Sequence, residues 1–351
     1  MKFILPQKQH LLRVMRPAFI FFFRFPFATN MLLPNMKLKV PECEPHIALD
    51  HAQGELCFVS HAHSDHTSAV RSLKPLFATE ETLHLANAKT AHPIPKNISL
   101  LGAGHMLGAA QLFARLDGQS LTYTGDFKLS PSLTCKGAQI KECDTLVMES
   151  TYGSPSMRFP SREEVLSHME KWVNANSSKN AIIFGAYTMG KAQEIVKFLN
   201  DFCGITPIVS SRIDSICAKY EELGVRLLRV RSGTEESNEM AKSPFVAVMP
   251  SRSVNLQFGS SLSGALNMNV LTALASGWAH SFRLPVDRAF PLSDHADFSE
   301  MLQYIDSASP KKIVCALGRG EEMAMHLKKL GYNAIADSQI GERIAMQATL
   351  K

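Results

Sequence analysis

The stretch Ser60-His-Ala-His-Ser-Asp-His-Thr67 places three imidazoles and a carboxylate within six residues, His61 to His66. One hydrogen bond satisfies a lone buried histidine, but a cluster of this density reads as ligand chemistry. Neutral imidazole together with carboxylate suits zinc, with manganese or iron as further candidates. The preceding "ELCFVS" (55–60) has the look of a strand, and side chains two apart on a strand project to the same side, so His61 and His63 can face one ion. Asp65 and His66 lie around the turn and can face a second position. A two-ion site needs further ligands from distant segments. His105 in "GAGHMLGAA" and Asp126 in "YTGDF" stand in suitable places, just past strands or in turns.

The elements that must position these residues are short β-like runs from Met36 onward. "LFARL" (112–116) and "SLTYTGD" (120–126) are joined by Asp117-Gly118, a hairpin signal, and "TLVMES" (145–150) is another strand. The pattern then changes. Ser161-Arg-Glu-Glu164 is a capping box that should start a helix running to about Asn174. "AIIFGA" reads as a buried strand, and "GKAQEIVKFLNDF" as an amphipathic helix with Ile195, Val196 and Leu199 inward. "TPIVSS", "RLLRV" and "FVAVMP" are further expected strands, with the helix "IDSICAKYEELG" between the first two. Alternating strand and helix implies a parallel α/β unit across 155–285. The chain closes with "LSDHADFSEMLQYID", "KKIVCALG" and the helix "EEMAMHLKKLGY".

Bulk properties bound the answer. The 351 residues exceed one ordinary small core, so two domains or one domain with a large insertion is expected. No apolar run approaches the roughly 18 residues a membrane span needs. Seven scattered cysteines with no CxxC pair argue for a reducing, cytoplasmic setting. The net charge of +5 comes entirely from residues 1–35, which carry Lys2, Lys8, Arg13, Arg16 and Arg24 and no acid. The remaining residues balance 32 basic against 32 acidic side chains, so overall charge gives no argument for nucleic acid, although a local basic groove stays open. Residues 1–35 fit a signal peptide poorly. They read as an over-long gene start, with initiation at Met31 or Met36, or as a transit peptide, and are expected to add nothing to the chemistry.

One motif competes. Gly185-Ala-Tyr-Thr-Met-Gly190-Lys191-Ala192 fits GxxxxGK between a strand and a helix, the context of a phosphate-binding loop. Ala192 stands where an ATPase needs a Mg²⁺-binding hydroxyl, which disfavours that activity. Gly190 and Lys191 remain candidates for holding a nucleic-acid phosphate at a helix start, against the plain alternative of a packed strand–helix turn.

His-Ala-His-Ser-Asp-His resembles the HxHxDH signature of the metallo-β-lactamase fold, His105 and Asp126 match that fold's next two ligand motifs, and Asp50 in "IALDH" matches its preceding structural aspartate. "MESTYG" (148–153), "FGAYTMGKAQE" (184–194) and "PLSDHADFSEM" (291–301) resemble the β-CASP branch, which processes nucleic acids. Within it the chain is similar, over residues 36–345, to the prokaryotic ligase-associated DNA exonucleases and mRNA 3′-end processing factors. The resemblance implies an αββα metallo-β-lactamase sandwich (36–154 and 286–351) with an inserted α/β β-CASP-like domain (155–285) and a metal cleft between them. It implies that His61, His63 and His105 hold a first Zn²⁺ (or Mn²⁺), that Asp65 and His66 belong to a second, and that Asp126 bridges. A metal-bound hydroxide would attack phosphorus. His295, oriented by Glu149, would serve as general acid, with Asp65 also counted in the catalytic set. The bland reading of His295 is a capping or hydrogen-bonded structural histidine.

The pattern breaks at its last motif. Where the family has a histidine after a strand, "VCALGRGEEMAMHLKKLGY" presents Leu317 before Gly318. Cys315 on the same strand, His326 on the following helix, or water are the conceivable substitutes. The reading is therefore a metal-dependent nuclease, exonuclease or 3′-end processing in type, on single-stranded DNA or RNA, with one or two ions. It has no membrane role, and family resemblance implies association with a DNA ligase or an RNA-processing complex. The alternatives are a catalytically weakened nucleic-acid-binding subunit of a repair or RNA-processing complex and, less favoured, a small-molecule hydrolase.

Overall fold

The structure, a computed structural model, describes residues 32–33, 36–40, 43–116 and 118–340, all within one compact unit from Met31 onward. Apart from Leu32–Leu33, the basic extension expected over 1–35 lies outside the described residues, as does Asp117 of the hairpin turn.

Two sheets face each other. One runs in the order Leu32–Leu33, Lys37–Val40, Cys43–Leu49, Leu56–Phe58, Leu76–Phe77. The other runs Ala334–Ala336, Lys312–Ala316, Thr145–Glu149, Gln119–Tyr123, Ala110–Leu116, Ile98–Gly102. Ile47, Leu56 and Phe58 from the first and Leu112, Leu121, Val147 and Val314 from the second form one buried cluster. The period of two decides the rest. Val147 points into that cluster, while its neighbours Leu146 and Met148 point to the opposite face, against the helices Phe298–Ala308 and Gly320–Lys329. On the far side of the first sheet, Ala48, Cys57 and Val59 pack against Ala69 of the short helix Ser68–Arg71. This is the αββα sandwich.

Residues between these segments build a third, all-parallel sheet in the order Val230–Arg231, Ile208–Val209, Val246–Pro250, Ala181–Ala186, Val270–Ala275, Arg288–Phe290. Ala181–Ala186 is buried throughout, as a central parallel strand must be. The helix Arg162–Asn176 starts at the expected capping box, with Ser161 and Glu164 bonding reciprocally. Lys191–Cys203 buries Ile195, Val196 and Leu199 as its periodicity requires.

Two expectations need correction, and two elements are missing from the sequence reading. "RLLRV" is a strand only at Val230–Arg231, because Arg229 turns aside to pair with Asp214 and Glu221. "TPIVSS" shrinks to Ile208–Val209. The helix Leu256–Leu266 and the strand Val270–Ala275 carry no clean alternation or periodicity in sequence and were not anticipated.

Candidate metal centre

The ligand-type residues meet at one end of the sandwich because each follows a strand of it. The strand Leu56–Phe58 ends before the histidine cluster, so His61 and His63 converge from a bend rather than an extended run, correcting the reason given by the i, i+2 rule. Gln119–Tyr123 delivers Asp126 through Thr124-Gly125, and Glu149 is the last residue of the neighbouring strand. A Cβ on Gly125 would lie 2.7 Å from the Ser60 Cβ, so only glycine lets these two loops approach, and its φ of +55° suits glycine as well.

Three imidazoles converge. His61 Nε2 lies 3.0 Å and His105 Nε2 3.1 Å from His63 Nδ1. Their outer nitrogens fix the tautomers. His63 Nε2–H donates to the Met189 carbonyl (3.1 Å) and His105 Nδ1–H to the Asp294 carbonyl (3.0 Å). Ser60 Oγ gives its own proton to Asp50 Oδ2 (2.6 Å) and so accepts from His61 Nδ1–H (3.0 Å). The three inner nitrogens therefore all carry lone pairs, with no proton to place between them. Burial, reinforced for His61 and His105 by neighbouring imidazoles, holds all three pKa values below the usual histidine range, so the rings are neutral. Tetrahedral zinc with bonds of about 2.0–2.1 Å needs nitrogens about 3.4 Å apart. Asp126 Oδ2, 3.6 Å from His61 Nε2 and 3.8 Å from His105 Nε2, stands at the fourth corner. The donor set and outer hydrogen bonds fit a cation.

The neighbouring position is less complete. His66 Nδ1 donates to Asp50 Oδ2 (2.9 Å), and its Nε2 lies 3.4 Å from Asp126 Oδ2 and 3.7 Å from Asp65 Oδ2. Burial alone would lower the His66 pKa, but Asp126 and Asp50 raise it to about 11, so without a cation this ring is protonated. The Asp65 side chain is 77% exposed, against 9% for Asp126. Leu317 follows the strand Lys312–Ala316 with a left-handed φ of +56° and an exposed side chain. The substitutes do not join. The Cys315 thiol is buried among Met148, Met323 and Leu327 and pushed up to about 12 by that burial, and His326 stands beside Glu322 and Phe298.

Glu149 is fully buried and saturated. It accepts from the Phe127 N–H (2.7 Å), Thr151 Oγ1 (2.6 Å) and His295 Nδ1 (2.8 Å). Burial opposes protonation of His295, but Glu149 and Asp126 raise its pKa to about 9. The ring sits 4.5 Å from that of His105. The capping role belongs instead to Asp297, which accepts from Glu300 N at the start of Phe298–Ala308.

Gly190 and Lys191, the candidates for holding a phosphate, are engaged within the fold. Lys191 Nζ is buried, 2.9 Å from Glu194 Oε2 and 2.5 Å from Asp294 Oδ1, and the Gly190 N–H donates to Gln193 Oε1 (2.8 Å). Arg162 completes the group through Glu194 and the Ser293 carbonyl (2.9 Å). The group holds Asp294, whose carbonyl accepts from His105 Nδ1. Sequence reading missed this quartet, and also the backbone acceptors at Met189 and Asp294. The available signal was Lys191 and Glu194 of "GKAQE" and Asp294 of "SDHAD".

No family model matches the chain. It is 28% identical over 311 residues to a "Probable DNA ligase" of Opitutus terrae, covering 83% of this chain and 29% of that protein. It is 24% identical over 300 residues to the DNA cross-link repair 1A protein of Homo sapiens, covering 75% of this chain and 28% of that one. Over 190 residues it is 28% identical to an RNase J-like protein of Methanocaldococcus jannaschii, covering 44% and 45%. The chain spans less than a third of the first two relatives and under half of the third. Together with the sandwich, the parallel inserted sheet and the histidine–aspartate cluster, these likenesses fit the β-CASP metallo-β-lactamase family.

Proposed function

We propose that the protein is a metal-dependent nuclease that hydrolyses phosphodiester bonds in single-stranded DNA or RNA, with zinc as the resident ion and manganese as a substitute. The observation that carries this reading is the set of three converging, unprotonated nitrogens on His61, His63 and His105 beside Asp126, with His295 held against Glu149 at the same site. When bound, a cation there supplies the Lewis acidity that activates water and neutralises phosphoryl charge. His61, His63 and His105 would hold it as neutral donors, and Ser60, Met189 and Asp294 hold those rings in place. Asp126 would add an anionic donor. Asp65 and His66 flank a second, weaker position, with Leu317 contributing no donor. Glu149 takes the Nδ1–H of His295, which leaves Nε2 as the atom that passes a proton to the leaving oxygen.

The division at 155 and 285, a cytoplasmic location and association with a DNA ligase, suggested by the Opitutus relative, belong to the same proposal. Among the described residues no helix is long and apolar enough to cross a membrane. The test is cleavage of end-labelled single-stranded DNA and RNA, with zinc or manganese, by the protein and by His63→Ala. Cleavage by the parent and none by the variant is expected. A folded parent that cleaves neither strand under either metal would overturn the reading in favour of a binding subunit.

A further inference from the structure

A chain of rings leads outward from His295. Tyr152 meets it edge-on at 6.0 Å, Trp278 meets Tyr152 at 4.9 Å, and Phe282 lies 5.8 Å beyond Trp278. The guanidinium of Arg319 lies over the Trp278 ring at 6.0 Å. The inner member is sealed and the outer one is open: Tyr152 is 3% exposed and Phe282 54%. The arrangement is built rather than incidental. A Cβ on Gly277 would fall 2.5 Å from the Tyr152 hydroxyl, so the turn Gly277–His280 presses its backbone onto Tyr152 and sets Trp278 beside it. Arg283 follows Phe282 and is exposed, while Arg319 also pairs with Glu322 at 3.1 Å. Nothing in the metal chemistry uses these groups. An aromatic run that begins at the candidate proton donor, flanked by guanidinium groups and left open at its outer end, matches a flat π-face on a polyanionic chain.

We propose that Trp278 and Phe282, with Arg319 and Arg283, form a stacking wall for unpaired nucleobases of the strand whose phosphodiester lies at the metal centre. This rests on the nuclease reading and adds a binding subsite to it. Stacking accepts every base, so the wall confers a preference for single strands without a sequence preference. Duplex bases, already stacked on each other, have no face to offer.

The chain has two tryptophans, and Trp172 packs away from this wall against Phe184 and Phe290. In W172F, emission therefore reports Trp278 alone. With chelator present to prevent cleavage, that protein is titrated with oligothymidylate, oligouridylate and an abasic strand of equal length and charge. Quenching by oligothymidylate or oligouridylate but not by the abasic strand supports the proposal and says which sugar is taken. Phe282→Ala, at an exposed position that leaves folding intact, is expected to weaken binding of the quenching strand roughly 5- to 150-fold, the range for losing one stacked base, while leaving abasic affinity unchanged. Equal quenching by all three strands, or base-bearing affinity unaltered in Phe282→Ala, overturns it. The two readings fail separately. Unaltered affinity with intact cleavage removes the wall alone, and absent cleavage with intact, base-dependent quenching removes the nuclease alone.

Discussion

Lys191→Met is the perturbation that best separates a structural lysine from a phosphate-binding one. The ammonium is sealed between Glu194 and Asp294, and the Arg162 guanidinium pairs with Glu194 and lies 3.9 Å from Asp294. Two cations and two carboxylates cancel. Methionine has about the volume of lysine, though one atom less in length, and carries no charge, so the variant encloses one uncompensated negative charge. Removing one partner of a buried ion pair costs about 3–5 kcal/mol, a large part of the roughly 5–15 kcal/mol that holds a typical protein folded. With a urea dependence of about 3 kcal/mol per molar, the unfolding midpoint drops by roughly 1–1.7 M. Adding Glu194→Gln restores neutrality, so the double variant recovers part of that loss and the cycle gives the coupling energy. A phosphate-binding lysine would behave differently. Its loss would leave the midpoint in place, weaken single-stranded DNA binding and flatten the salt dependence of binding by about one unit of slope. That outcome would refute the ion-quartet reasoning.

Three further outcomes are expected. In the cation-free protein, NMR titration shows the His295 imidazolium persisting to a pH of about 9, because Glu149 and Asp126 outweigh burial, and Glu149→Gln brings that transition down; a transition at the ordinary histidine value in the parent would contradict the pairing. Asp144 accepts from Lys311 and Ser120, which lower its pKa to about 2, so its contribution is complete above the unfolded carboxylate value near 4 and disappears as pH falls through 2. Partial exposure limits that contribution to ~1 kcal/mol, and acid-unfolding curves of the parent and Asp144→Asn should merge by pH 2. Gly125→Ala forces the Ser60 and Asp126 loops apart and weakens zinc binding, measured by competition with a chelating dye, and unchanged affinity would show that the close approach does not matter.

Much of the site was legible because ligand chemistry is local. His61, His63 and His66 fall within one loop, and Asp126 and Glu149 fall at the ends of adjacent strands, one marked by the alternation of "SLTYTGD" and the other by the short apolar run of "TLVMES". His295 was legible only through resemblance, since its partner Glu149 is 146 residues away. What escaped was chemistry supplied by the backbone or by tertiary pairing. The Met189 and Asp294 carbonyls that orient His63 and His105 carry no side-chain signature. Lys191 looked like a phosphate lysine because a strand–Gly–Lys–helix junction is the same in sequence whether the ammonium faces solvent or, as here, two carboxylates. The strand Val270–Ala275 escaped because its short apolar run carries no alternation that separates it from a helix segment.

The most direct test of the central claim is reconstitution. Protein stripped by chelation and dialysis is titrated with zinc while cleavage of 5′-labelled single-stranded DNA and RNA and bound metal are followed together, alongside His105→Ala. Activity that is absent from the stripped protein, rises with the first bound equivalent and never returns in His105→Ala is the expected result. Cleavage by stripped protein, or full cleavage by His105→Ala without bound metal, would contradict it.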